Sequence, residues 1–340
     1  MPPPDPARSR QRQFFAIIAA VLALASAGSH LVVRVLGIRT DGVERGRIAA
    51  ASGEPALVLG SSLTFFGVSF PQVAKEWPRP LITRSVGGCS PCELETLARE
   101  VPEARRTIIG VSLFDLNESS ICDARPVLVP LSQTVRDLYA SGAGWPAAKR
   151  VVWSYPLPWL QKIFPVAGYS PAVIVSLRDK TGALLKRPAS AEPEARLSFK
   201  TDEDAVRPEK LSGWDAGRLA RNLAHLRAAG LARGGLAGPK ALALGRILDR
   251  TAAQEPPVVL VFPVSPPYRA AFAGPAVQAE FEQALARART HRPDLVLIRL
   301  DQESALQPAE VFWDLVHLND DGRRLATRLV IAQLSALPAR

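Results

Sequence analysis

Ala56-Leu57-Val58-Leu59-Gly60-Ser61-Ser62-Leu63 is the stretch on which the fold turns. Four apolar residues in a row, closed by Gly60, have the pattern of a strand covered on both faces, as in a parallel sheet. Two serines follow at once, where the chain leaves the strand. Working outward, the pattern recurs. Residues 81–86 form a second run ending in Gly87-Gly88, and 93–100 open a helix. Residues 107–111, 257–262 and 295–298 are three more apolar runs, with 276–289 and 320–337 at helical spacing between and after them. Asn319 is placed to cap the last helix. The order β-α-β-α-β, an insertion, then β-α-β-α predicts an α/β protein. Its architecture would be a three-layer α/β/α sandwich around a central five-stranded parallel sheet.

The insertion, 116–256, is too long for a simple crossover and must build structure of its own. Leu219, Leu223 and Leu226 keep helical spacing after Ser212, a candidate cap, and 241–251 reads as another helix. Nearer the third strand, Trp145, Trp153, Tyr155, Trp159, Phe164 and Tyr169 are interleaved with Lys149, Arg150 and Lys162. That composition suits a cap over a cleft or a surface resting on a membrane. Residues 189–210 read as a polar loop.

At the other end of the chain, Arg8, Arg10 and Arg12 precede an uncharged run from Phe14 to Val33 that meets Arg34. About 20 apolar residues cross a bilayer as a helix, and flanking arginines stay on the cytoplasmic side. Residues 1–13 are then a basic cytoplasmic tail, 14–36 a transmembrane anchor, 37–54 a linker and 55–338 the folded domain. Ala25-Ser26-Ala27 is also a small-x-small cleavage site, so a signal peptide competes with the anchor. Either version exports the domain. The anchored version is an inner-membrane protein with its domain in the periplasm, and the cleaved version is secreted. A net charge of +10 with 47% hydrophobic and 22% charged residues describes a folded chain suited to an anionic environment. No zinc-finger spacing or RNP-like motif is present and aromatics are 6%, which argues against a nucleic-acid partner.

The three cysteines are Cys89, Cys92 and Cys122. In an oxidising compartment two of them can pair. Cys89-Ser90-Pro91-Cys92 also has dithiol-oxidoreductase spacing, but the ββα context of a thioredoxin-type site is missing downstream. A structural disulfide or small buried thiols fit better. No fourth ligand supports zinc, and no cofactor is called for.

Ligands of α/β sheets bind beyond the carboxyl ends of the strands, where Ser61 and Ser62 lie. Gly-Ser-Ser alone also makes an ordinary strand-to-helix turn. Its partner is at the far end, in Trp313-Asp314-Leu315-Val316-His317-Leu318-Asn319-Asp320. Of the four histidines, His317 has a carboxylate three residues before it and a helix just after it. Asp314 is therefore placed to orient the imidazole and stabilise its cation, with Ser62 as nucleophile.

These blocks resemble the SGNH/GDSL hydrolases. Gly60-Ser61-Ser62-Leu63 is similar to their Gly-Asp-Ser-Leu block, and Asp314-Leu315-Val316-His317-Leu318-Asn319 to their Asp-x-x-His block. The resemblance covers 55–115 and 256–337 and implies a flavodoxin-like sheet with a Ser62–His317–Asp314 triad. Gly88 falls where the family places an oxyanion glycine. Two departures stand out: Ser61 replaces the aspartate of the first block, and Gly110-Val111-Ser112-Leu113 lacks the asparagine of the third. Asn117 is the nearest substitute, so the expected oxyanion hole is Ser62, Gly88 and Asn117. A serine in the first block resembles membrane-anchored proteins that acylate envelope polymers. The resemblance thus implies an esterase or O-acyltransferase working through acyl-Ser62 on an O-acylated polysaccharide, alongside an integral-membrane O-acyltransferase. A secreted lipase or general esterase, and a non-catalytic glycan-binding or docking component, are the alternatives.

Overall fold

The computed structural model describes residues 6–35, 43–48, 53–77, 79–102, 104–119, 125–142, 149, 151–153, 155–156, 160, 163–164, 209–231, 235–250 and 255–337. The chain divides into two compact units, one of residues 1–42 and 154–196, the other of 43–153 and 197–340.

The smaller unit holds α1 (Pro6–Val35), whose residues Phe15–Val32 are long and apolar enough to cross a membrane. The helix begins at Pro6, so it continues into the stretch expected to be a basic tail.

The larger unit is α/β. Its six strands are β1 (Val43–Ile48), β2 (Ala56–Gly60), β3 (Leu81–Val86), β4 (Arg106–Ser112), β5 (Val258–Phe262) and β6 (Val296–Arg299), in the order β1-β3-β2-β4-β5-β6. All neighbours are parallel except β1, which runs antiparallel to β3. Leu57 pairs with Ile82 on one side and Thr107 on the other, and Leu260 with Gly110 and Ile298. Every residue of β2, β4 and β5 is buried, which is why β2, β5 and the middle of β4 are apolar runs rather than alternating ones, while Arg106, Thr107 and Ser112 are buried polar residues at the ends of β4.

Eleven more α-helices are described: α2 (Ser62–Gly67), α3 (Phe70–Glu76), α4 (Pro91–Ala98), α5 (Leu113–Leu116), α6 (Arg125–Leu128), α7 (Leu131–Ala140), α8 (Ala216–Ala228), α9 (Pro239–Arg250), α10 (Pro266–Phe272), α11 (Pro275–His291) and α12 (Asp320–Ser335). One helical group forms where α9 packs on α4, α7 and α11, and another where α12 packs on α2 and α3.

Three local readings change. Residues 43–48, expected as linker, are edge strand β1. Arg45 and Arg47 hid it, because such charges guard an edge rather than fill a core. Arg45 also pairs with Glu100 at 2.9 Å, and Arg84 of β3 pairs with the same carboxylate at 3.1 Å. The cap of α8 is Asp215, whose side chain accepts from Arg218 N at 2.7 Å, and Ser212 lies in a 3-10 turn before it. In the aromatic-basic segment, Trp153 is 70% exposed and Tyr155 is buried, while Trp145, Trp159 and Tyr169 lie outside the described residues. Most of the expected 189–210 loop lies outside them too. The cap expected at Asn319 is present, its Oδ1 accepting from Gly322 N at 3.1 Å.

Candidate active site

The path of the chain makes the site. From β2 it goes first to β3 on one side, then crosses to β4 on the other. The carboxyl end of β2 is thus a topological switch point, where the loops diverge and leave a crevice. Ser61 stands at that end as the cap of α2, its Oγ accepting from Leu63 N at 3.2 Å, and Ser62 is the first helical residue.

This turn is tight because Thr64, one turn into α2, lies against two strands at once. A Cβ built on Gly60 of β2 or on Gly110 of β4 would overlap the Thr64 side chain. The two glycines let α2 come close to the sheet, which sets where Ser62 points.

The imidazole arrives from the other end of the chain. After β6, residues 309–319 return across the strand ends, closed by a bridge between Phe312 and Leu318 and by Trp313 N donating to His317 O at 3.1 Å. The loop is fastened to the residue that caps α10, just past β5. Ser265 Oγ donates to Leu315 O at 2.7 Å, and Ser265 N donates to the same oxygen at 3.2 Å. Asp314 Oδ1 accepts from Val316 N at 2.8 Å and His317 N at 2.7 Å, so the loop fixes its own carboxylate.

Within that frame Asp314 Oδ2 lies 2.7 Å from His317 Nδ1, and His317 Nε2 lies 2.9 Å from Ser62 Oγ. Burial alone would push the Asp314 carboxyl up. The hydrogen bond and charge of His317, with the two backbone N–H groups, outweigh burial and hold its pKa below the ordinary value of 3.8. The ring lies between two aromatics: Trp313 stacks on it at 5.2 Å and 27°, and Phe66 of α2 meets it edge-on at 5.6 Å and 77°. These contacts restrain the imidazole plane while its side chain keeps 16% exposure, enough for a substrate to reach it. Another Asp-His pair exists, His291 with Asp249 at 2.8 Å, but it is on the surface.

Below the Ser61-Ser62 turn sits a carboxyl that the sequence alone did not single out. Asp115 of α5 is buried, and its Oδ2 accepts from Ser112 Oγ at 2.9 Å. Burial pushes its pKa up to about 6, against the pull of hydrogen bonds from Ser61 and Ser112 and the charge of Lys240. Asp115 in turn raises the pKa of Tyr268, whose hydroxyl burial has already pushed up. The signal in the sequence is the acid three residues beyond Ser112, the spacing at which a strand-end hydroxyl caps the next helix.

The remaining expected residues divide. Gly88 occupies the turn after β3 with φ +65, a left-handed conformation that favours glycine. Asn117 does not reach the crevice. It is fully buried, its Nδ2 donating to Leu231 O and its Oδ1 accepting from Ser119 N, both at 2.9 Å, so its amide ties α5 to the insertion. Of the three cysteines among which a pair was expected, or else small buried thiols, Cys89 and Cys92 are buried thiols, and Cys122 lies outside the described residues. Cys89 Sγ donates to Gly60 O at 3.5 Å. Burial pushes the Cys92 thiol up to about 12, opposite to what thiol-disulfide exchange needs.

A cavity of about 280 Å³ whose lining includes Cys92, Arg125, Leu138 and Val151 does not include Ser62, Asp314 or His317. Among the described residues no group of three His, Cys, Asp or Glu side chains could hold a metal ion. In comparisons with known proteins, no family model and no curated protein matches the chain.

Proposed function

We propose that this chain is a membrane-anchored, extracytoplasmic serine esterase or O-acyltransferase of the SGNH type. On this reading the helices form two outer layers about the sheet, and the substrate is an O-acyl group on an envelope or secreted polysaccharide. The observation that carries the reading is His317 bridging Asp314 at 2.7 Å and Ser62 at 2.9 Å. A surface Asp-His pair has no reason to end on a serine that opens the helix at a switch-point crevice. The parallel strands in the family's order and the Asp-x-x-His block support the family. The apolar helix behind three arginines supports the anchor and a periplasmic domain.

The chemistry follows from the geometry. Ser62 Oγ attacks the ester carbonyl carbon as its proton passes to His317 Nε2, and Asp314 stabilises the imidazolium. The oxyanion is met by backbone N–H groups of Ser62, at the open start of α2, and Gly88. Collapse breaks the C–O bond, and the leaving alcohol takes the proton from His317. Water or a sugar hydroxyl, deprotonated by His317, then attacks acyl-Ser62, and His317 returns that proton to Ser62 Oγ as the ester bond to the serine breaks. Transfer to a sugar would place the protein beside an integral-membrane O-acyltransferase.

The test is release of acetate from an O-acetylated polysaccharide or aryl acetate by the full chain, compared with Ser62→Ala and His317→Ala. Each variant should lose on the order of 10⁴ in kcat, as removal of a triad member does. Unchanged turnover in either would remove the reading. A second reading, a non-catalytic glycan-binding component, is favoured by one observation: Asn117 and Ser112 spend their polar groups inside the fold. It predicts polymer binding with no turnover.

A further inference from the structure

Helix α1 is exposed along nearly all of its described length, and the half-buried positions on it are Ser26 and Ser29, one turn apart. What lies over Ser26 belongs to the same unit: its hydroxyl donates to the backbone carbonyl of Ile163 at 2.8 Å. Phe164 N donates to Leu160 O at 2.8 Å, so Leu160, Ile163 and Phe164 share one turn of chain against the helix. Leu160 remains 50% exposed although it is apolar.

Depth decides what this means. Ser26 lies within three residues of the midpoint of Phe15–Val32, or about 4 Å along the axis at about 1.5 Å per residue. The apolar layer extends about 15 Å either side of its centre. On the reading that α1 is a bilayer anchor, a carbonyl bonded to Ser26 is therefore inside that layer. We propose that the turn carrying Leu160, Ile163 and Phe164 is a second membrane contact, seated on α1 at Ser26 among the lipid chains.

Three further features fit. A backbone carbonyl in hydrocarbon needs a donor, and Ser26 supplies it. Serines at 26 and 29 leave room for another stretch of backbone to approach the helix. The sequence from 163 to 177 carries no Asp, Glu, Lys, Arg or His, yet Lys162 precedes it and Arg178 follows it. Fifteen residues are fewer than the roughly 20 needed to cross as a helix. The contact also requires that Ser26 stay in the mature protein, which cleavage after Ala27 would prevent.

The test uses the full chain in native membranes, with Cys89, Cys92 and Cys122 replaced by serine and the pair Ser26→Cys and Phe164→Cys introduced. Copper-phenanthroline oxidation should join the two cysteines within one chain. A membrane-impermeant maleimide should label Phe164→Cys in detergent and lose that labelling in membranes. Intact mass should show residues 6–35 retained. A retained helix with no cross-link and full labelling in membranes overturns the proposal, and so does a mature chain beginning after Ala27. Neither readout depends on ester chemistry, so failure here and failure of the acyl-transfer reading are told apart. If the cysteine-free background misfolds, bromolipid quenching of Phe164→Trp, with the six native Trp changed to Phe, replaces it: quenching supports the contact, and its absence refutes it.

Discussion

Ser265 holds Leu315: the hydroxyl that caps α10 donates to a backbone carbonyl between Asp314 and His317, at 2.7 Å. On the proposed reading, the alignment of Ser62, His317 and Asp314 thus depends on a residue outside them, at a different strand end from Ser62. Ser265→Ala removes this bond and leaves a buried carbonyl with one donor fewer. About 1 kcal/mol of stability should be lost. The catalytic loss should be larger, about tenfold to a hundredfold in kcat with KM little changed, since a loop shift of an ångström misplaces the imidazole. Steady-state kinetics beside a urea melt would separate the two. A rise in KM with kcat unchanged would contradict the clamp.

Asp115 predicts a pH dependence of stability. Its folded pKa of about 6 lies above the ordinary 3.8, so the folded chain binds this proton where the unfolded chain has released it. Stability from this group is present below about pH 4 and is lost as pH rises through 6, by about 3 kcal/mol in all. The charged or titrating groups beside it are Lys240 and Tyr268. Asp115→Asn should therefore gain on the wild type between pH 4 and 6 and hold a constant advantage above. Urea midpoints at pH 4, 5, 6 and 7.5 would show it. Parallel curves for the two proteins would refute it.

Gly110→Ala should destabilise the domain by about 1–3 kcal/mol, because the new methyl overlaps Thr64 and a packed core yields little. Thr64→Ala should restore part of the loss in the double variant, as coupled neighbours do. Thermal melts of the four proteins close the cycle. Additive losses would mean that α2 is not held against β4 through Thr64.

Much of this was legible in the residues. The buried strands announced themselves, since a strand covered on both faces has no polar alternation to obscure it. Asn319 and Asp314 could be read because caps and Asp-x-x-His spacing are local. β1 could not, because an edge strand with Arg45 and Arg47 is written to look like solvent-exposed chain. Ser265 and Phe66 were silent for another reason: their roles depend on contacts from strand ends far apart in sequence. Asn117 misled because nearness to a strand end says nothing about which way an amide turns, and the insertion at Leu231 claims it.

The most direct test of the central claim is the site of covalent capture by a fluorophosphonate. The folded full chain is treated with the probe, digested and mapped by mass spectrometry. The account predicts a single adduct on Ser62 Oγ, absent in Ser62→Ala and slowed by orders of magnitude in His317→Ala. An adduct on another residue, labelling that survives Ser62→Ala, or no adduct on the folded wild type would contradict it.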